Sequence, residues 1–180
     1  HGFPAKYGGA GTELHHQIVL WLSMGLEIHL IPTSPHTERE PLFKAMTNAG
    51  VVIHPHNEWD CLGPEDAVLS FCNAEFLKHL PEIFQRTRKT VFINCMTWLF
   101  EDEKRRMKEG LIRMFLYQNE QVLQKNRPLL QALNPDPRVK HLTFSPYFDD
   151  SLFPFIEKRA EDHFGCGRIS RQDADKFAAN

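Results

Sequence analysis

The sequence contains no hydrophobic run long enough to form a membrane-spanning helix, because its richest apolar stretch, residues 18–22, ends at Ser23. A spanning helix needs roughly 18 or more consecutive apolar residues. The chain also has no large surplus of one charge, since its formal net charge is −2 and acidic and basic residues are interspersed. Nucleic-acid-binding proteins ordinarily present a basic surface. We therefore expect neither a membrane-spanning segment nor a nucleic-acid partner.

Cysteine is scarce, and the four cysteines form no Cys-x-x-Cys spacing that would indicate a zinc site or a redox motif. Cys72 and Cys95 each lie within an apolar run, so we expect them to be buried thiols. Free thiols are typical of proteins in reducing compartments. The cysteine pattern therefore favours a cytoplasmic protein.

The chain has enough apolar side chain for a substantial core, since 42% of its 180 residues are hydrophobic and 24% are charged. Short apolar runs alternate with segments of helical periodicity, which predicts an α/β protein. Its sheet should be Rossmann-like and mainly parallel, with helices on both faces. The predicted strands are residues 26–32, 51–56, 67–73, 90–96, 111–117 and 139–146. The predicted helices are a first one with Thr12 as N-cap and Gly25 as its stop, residues 39–49, 74–86 and 102–109, and one from Glu120 that is interrupted or restarted at Pro128.

Both ends of the chain look like parts of larger units. Residues 2–16, GFPAKYGGAGTELHH, place a glycine loop directly before a helix, and such a loop normally follows a buried first strand. Only three residues precede Pro4, so we expect that first strand to lie outside the sequence. Residues 163–180 have the pattern of a new strand, a loop and the start of a helix. We therefore expect a fragment that also carries the opening of a second domain.

The segments GFPAKYGGAGTELHH and GCGRISRQDADKFAAN (residues 165–180) resemble the two domain-opening loops of GT-B glycosyltransferases, in particular the retaining family 4 type. Along the whole chain the resemblance lies in the order of the predicted strands and helices, whereas the specific motifs cover about thirty residues. It implies a Rossmann-like acceptor-side domain over residues 1–148, with its first strand missing. A linker over residues 149–162 and the start of a nucleotide-sugar donor domain over residues 163–180 would follow.

The resemblance implies transfer of a sugar from a nucleotide-sugar donor to an acceptor that is a sugar, a lipid or a small molecule, with no metal and no further cofactor. The donor diphosphate would be bound by Gly8, Gly9, Gly11, Arg168 and Lys176. Glycine lets the backbone approach phosphate oxygens closely, and the planar guanidinium of arginine suits phosphate geometry. Two features depart from the family pattern: the loop GGAGTE has an extra small residue, and the segment NCMTWLF lacks the histidine that the family often places there.

Polar residues at the ends of two predicted strands are further candidates. Asn73 and Asn94 each end an apolar run, at the edge of the sheet where open α/β proteins bind ligands. Both asparagines could instead cap the helices that follow them. Thr97 and Trp98 follow the second of these strands, and Trp98 would either stack on a sugar or belong to the core. We take these four residues as candidates for substrate binding.

Two other patterns favour different functions. His54 and His56, in the segment HPHNEWD, have a spacing that a metal-dependent hydrolase uses, although no third ligand is evident. The cluster Lys104, Arg105, Arg106 and Lys108 forms either a solvated helix face or a contact with anionic lipid.

A function without catalysis also remains open. The chain could be a binding subunit whose partner carries the nucleotide site, and the absent histidine favours this alternative.

Overall fold

The fold is described from a computed structural model, which covers residues 9–33 and 41–152. The chain divides into two compact units, His1–Phe148 and Asp149–Asn180. Of the second unit only the beginning is described, where Asp149 Oδ1 accepts hydrogen bonds from the backbone N–H and the hydroxyl of Ser151. The predicted domain boundaries stay predictions. The predictions for Gly8, Arg168, Lys176 and residues 163–180 lie outside the described residues.

The described residues form six parallel strands and five helices, which confirms the predicted α/β fold class. The strands are β1 (His29–Leu30), β2 (Val52–Ile53), β3 (Ala67–Phe71), β4 (Lys89–Asn94), β5 (Met114–Tyr117) and β6 (Lys140–Thr143). The helices are α1 (Gly9–Ser23), α2 (Pro41–Asn48), α3 (Ala74–Arg86), α4 (Glu101–Lys108) and α5 (Glu120–Leu133). β1 pairs with β2, and the other four strands form a second parallel sheet in the order β3-β4-β5-β6.

The four-stranded sheet is covered by helices on both faces because its central strands are apolar on both. Phe92 and Phe115 point to one side, where they pack with Leu77 and other residues of α3, α4 and α5. Their neighbours along β4 and β5, Ile93 and Leu116, point to the other side and pack with residues of α1. Alternation of this kind is expected for strands that are buried on both faces.

Helix α1 begins at Gly9 rather than after Thr12, so Gly9 and Gly11 lie in its first turns and not in a loop. Glycine weakens a helix only moderately, and tertiary burial of a helix face outweighs that cost. Here Glu13 and Ile18 are almost fully buried, at 5% and 2% exposure. Packing of α1 therefore extends the helix back through the glycines.

Helix α5 runs through Pro128 without interruption, contrary to the prediction. A proline inside a helix removes one backbone hydrogen bond. Leu123 and Leu130 lie on either side of Pro128 and are buried in the same core cluster. The packing of both halves against one surface keeps the helix continuous.

Strands β1 and β2 are shorter than predicted, with two residues each instead of runs of six or seven. Within the described residues they pair only with each other. Their inward side chains pack on Ile18, Met46 and Val51, which form a separate small core cluster. No helix in the described part of the chain is long and apolar enough to cross a membrane.

We predict that Leu77→Ala lowers the free energy of unfolding by about 2–5 kcal/mol, because it leaves a cavity in the larger core cluster. Leu77 is fully buried in α3. The matched control is Leu129→Ala in α5, since Leu129 is 54% exposed; its change should stay below about 0.5 kcal/mol. Urea unfolding of both variants measures the difference. Equal losses in the two variants would contradict the described packing.

Candidate functional site

Polar groups collect at the carboxyl ends of β3, β4 and β5. In parallel sheets this edge is where ligands bind. The N-terminal part of α1 lies at the same edge, because Gln118, directly after β5, donates from Nε2 to Glu13 Oε2 over 2.8 Å. The first turns of α1 and the ends of three strands therefore form one candidate site.

Asn73 follows β3 and caps α3. Its Oδ1 accepts hydrogen bonds from the backbone N–H groups of Glu75 and Phe76 at 3.0 and 3.4 Å. Its Nδ2 donates to Thr33 Oγ1 at 2.8 Å, which ties the segment after β1 to the start of α3. Both polar atoms of this buried side chain are thus engaged within the chain.

Asn94 ends β4, and its side chain organises the loop that leads to α4. Its Nδ2 donates to both carboxylate oxygens of Glu103, at 2.9 and 3.1 Å, and to the carbonyl oxygen of Trp98 at 3.0 Å. Its Oδ1 accepts from the backbone N–H of Met96 at 2.7 Å. Asn94 is 1% exposed, so its contacts hold the loop in place. The polar atoms of Asn94, which were expected to contact a ligand, therefore form hydrogen bonds within the chain.

The loop held by Asn94 carries the other two predicted binding residues. Thr97 is exposed, and its carbonyl oxygen accepts a hydrogen bond from Lys125 Nζ at 2.9 Å. Trp98 is 52% exposed and is not part of the core. Its indole therefore presents an accessible aromatic surface beside the carboxyl edge of the sheet.

Glu103 is a fully buried carboxyl group in the first turn of α4. Besides Asn94, it accepts a hydrogen bond from the backbone N–H of Phe100 at 3.1 Å. Burial raises the pKa of Glu103 to about 7, and the hydrogen bonds from Asn94 and Phe100 partly oppose this rise. The group thus changes its charge near neutral pH while it holds the loop.

Glu13 is the residue of this edge that the sequence analysis did not select. It is 5% exposed, and burial raises its pKa. Gln118 occupies Oε2, whereas Oε1 has no hydrogen-bond partner within the described ranges. A buried, unsatisfied carboxylate oxygen is energetically costly, and Oε1 is closed to solvent, so a ligand would satisfy it only by opening access to it. The position of Glu13, two residues after Gly11, is the feature of the sequence that could have identified it.

Cys72 and Cys95, at the ends of β3 and β4, are free thiols. Cys72 is buried, as predicted, at 6% exposure, whereas Cys95 is half-buried, contrary to the prediction. Cys72 has a φ of 46°, a left-handed conformation that residues other than glycine rarely adopt. The Cys95 thiol donates to the Cys72 sulfur and thereby lowers the pKa of the Cys72 thiol, while the same contact and burial raise the pKa of Cys95. The pair therefore places a thiol with a lowered pKa, that of Cys72, at the candidate site.

Of the glycines predicted to bind diphosphate, the structure describes two, and both lie at the start of α1. Backbone N–H groups in the first turn of a helix have no acceptor within the helix, and the helix dipole adds partial positive charge there. Gly9 and Gly11 therefore stand where an anion can be bound. The other residues predicted to bind diphosphate lie outside the described residues.

The basic cluster of α4 divides between paired surface side chains and one buried arginine. The Lys104 and Arg105 side chains form ion pairs with Glu101 and Asp102, as in a solvated helix face. Arg106 points inward instead, since it is 9% exposed and its guanidinium donates to the carbonyl oxygens of residues 77 and 78 and to Glu109.

His54 lies beside His29, with 2.7 Å between their ring nitrogens, and no contact joins it to His56. In the two described ranges, no group of three or more His, Cys, Asp or Glu side chains is arranged to hold a metal ion.

Comparisons with protein-family models, curated proteins and solved structures give no match to this chain. The resemblance to GT-B glycosyltransferases therefore depends on the sequence motifs alone.

The pKa of Glu103 predicts how stability changes with pH. Between the ordinary carboxyl pKa of 4.5 and the folded value of about 7, the folded chain keeps a proton that the unfolded chain has lost. The contribution of Glu103 to stability should therefore fall as pH rises through this window, by up to about 3 kcal/mol. Glu103→Gln cannot ionise, so its free energy of unfolding should lack this contribution, and the difference between the two pH profiles isolates it.

Urea unfolding from about pH 5 to about pH 8 measures this pH effect. The exposed Glu82 provides a matched control, because Glu82→Gln should keep the decline of the unsubstituted chain. Parallel pH profiles for the unsubstituted chain and Glu103→Gln would contradict the prediction.

Proposed function

We propose that the chain is the acceptor-side domain of a GT-B-like glycosyltransferase that moves a sugar from a nucleotide-sugar donor to an acceptor hydroxyl. The observation that carries the proposal is the position of Glu13, a buried carboxyl group with one free oxygen, directly behind the glycines at the start of α1. An anion-binding helix terminus and a hydroxyl-binding carboxyl group then adjoin at the carboxyl edge of a parallel sheet.

The start of α1 suits the leaving diphosphate of the donor. Gly9 and Gly11 have no Cβ, so phosphate oxygens can approach the free N–H groups of the first turn. Charge that develops on a leaving diphosphate is stabilised by such fixed dipoles. In the proposed enzyme, Gly8, Arg168 and Lys176 complete the diphosphate site, as the family resemblance implies.

Glu13 and Trp98 suit the acceptor. Glu13 Oε1 is closed to solvent in the structure and accepts a hydrogen bond from a sugar hydroxyl once the acceptor opens access to it, while Gln118 fixes the carboxyl group in place. Trp98 offers an exposed ring face of the kind on which sugars stack. Holding the acceptor hydroxyl against the donor is a main source of catalysis in a two-substrate reaction. The free thiols Cys61, Cys72 and Cys95 support action in the cytoplasm.

We expect the 180-residue chain to bind saccharide acceptors and nucleoside diphosphates at this edge without transferring sugar, because the donor domain supplies most of the nucleotide pocket. NMR titration with UDP, GDP and a panel of mono- and disaccharides locates the binding. Backbone amide shifts should concentrate at Gly9, Gly11 and Glu13. Loss of a hydrogen bond to a charged group costs about 1.5–3 kcal/mol, so Glu13→Gln should weaken saccharide binding roughly ten- to a hundredfold.

Glu82→Gln serves as the control, since Glu82 lies in α3 and is exposed. Saccharide binding that is unchanged in Glu13→Gln, or shifts confined to other surfaces, would overturn the proposed site. Saccharide binding without any response to nucleoside diphosphates would favour a binding subunit over an enzyme. Measurable sugar transfer by the chain would contradict the expected need for a second domain.

A further inference from the structure

A second cluster of polar side chains lies on the two-stranded sheet and includes none of the residues of the proposed sugar site. The inward face of this sheet is apolar, and the paired residues Leu30 and Ile53 pack on the small core cluster. His29 precedes Leu30, so it points to the opposite, outward face, where its register partner Val52 is 45% exposed. The His54 backbone N–H donates to the Leu30 carbonyl oxygen, which continues the ladder and puts His54 on the outward face.

Four side chains on this face form a continuous chain of contacts. His29 Nδ1 and His54 Nε2 lie 2.7 Å apart, and the two rings meet edge to edge, with their centroids 5.0 Å apart and their planes 24° apart. The outer nitrogen of each ring meets a carboxylate. His29 Nε2 lies 2.9 Å from Glu27 Oε1, and His54 Nδ1 lies 3.1 Å from Glu58 Oε2.

These contacts determine which ring nitrogens carry hydrogen. An ionised carboxylate only accepts hydrogen bonds, so His29 Nε2 and His54 Nδ1 are the donors. The two inner nitrogens face each other. When both rings are neutral and donate outward, each inner nitrogen carries a lone pair that a metal ion can accept.

We propose that His29 Nδ1 and His54 Nε2 together bind a divalent transition-metal ion of the Zn²⁺ type. Metal-binding histidines nearly always donate their other ring N–H to a carboxylate or a carbonyl, which fixes the tautomer and raises the basicity of the ligating nitrogen. Here both rings already have such a carboxylate, Glu27 for His29 and Glu58 for His54, and the two inner nitrogens face each other.

Binding requires both side chains to adjust. Two imidazole ligands at 2.0–2.1 Å from a tetrahedral Zn²⁺ have their nitrogens about 3.3 Å apart, so the present separation of 2.7 Å must open by about 0.6 Å. Each ring must also turn until its inner nitrogen, which now faces the other ring, points at the ion. Water completes the coordination. The side chain of His29 is 42% exposed, so the metal can reach the site from solvent.

The site differs from the sequence expectations in two ways. The expected scheme contained no metal, and the histidine pair that the sequence suggested was His54 with His56. In the structure the partner of His54 is His29, which lies 25 residues earlier. A metal bound there joins β1 to β2, which are only two residues long. Metal binding would stabilise this small sheet. The inference does not depend on the proposed function.

The test is isothermal titration calorimetry of the tag-free 180-residue chain with ZnCl₂, and with MgCl₂ as a comparison. We expect one Zn²⁺ per chain and no Mg²⁺, because Mg²⁺ prefers oxygen ligands. His29→Ala and His54→Ala should each abolish this binding, whereas His56→Ala should leave it unchanged. Glu27→Gln and Glu58→Gln should weaken it by about 10- to 100-fold, since they remove the carboxylates behind the ligands.

Far-ultraviolet circular dichroism and urea unfolding check that each variant is folded. If an alanine variant does not fold, imidazole NMR signals of the unsubstituted chain provide the second measurement, and Zn²⁺ should shift those of His29 and His54 together. Zn²⁺ binding that is equal in the unsubstituted chain and the folded alanine variants would place the metal elsewhere and overturn the proposal. Absence of Zn²⁺ binding would show that the contacts are a structural hydrogen-bond chain only.

Discussion

The packing of helix α1 across both sheets is the interaction on which the rest of the structure depends. Leu14 and Trp21 contact the small cluster under β1 and β2 and also the cluster on the α1 face of the larger sheet. In the described residues the two sheets are not hydrogen-bonded to each other. They are joined by α1, by the Asn73–Thr33 hydrogen bond, and by the packing of Ile31 and Trp59 in the larger core cluster. The same packing carries the start of α1, with Glu13, to the carboxyl edge of the strands.

The carboxyl edge contains polar groups of two kinds, which explains why residue type alone does not identify a binding site. Asn73 and Asn94 direct their polar atoms into caps and loop contacts. Such buried, satisfied groups make the edge rigid. Glu13 and Trp98 keep an unsatisfied oxygen and an exposed ring. A rigid frame with few free groups is the arrangement that preorganised binding requires.

The sequence predicted the fold well because alternation of apolar runs and helical periodicity is a local signal, as the match of α3 to residues 74–86 illustrates. The role of Asn94 was not predictable, because it depends on a buried carboxyl group nine residues later that no periodicity marks. The contact of His29 with His54 requires the register of two paired strands. The start of α1 was misplaced because glycine propensity indicates a loop, whereas burial of residues later in the helix decides its extent.

The two proposed sites are linked by the architecture although their chemistry is separate. The histidine pair lies on the outward face of β1 and β2, whose inward face packs against Ile18 of α1. A metal that holds β1 to β2 therefore also supports the surface against which α1 is seated. Since α1 carries Glu13, packing connects the small sheet to the carboxyl edge. The proposed metal would therefore support the seat of α1 and take no part in the proposed sugar transfer.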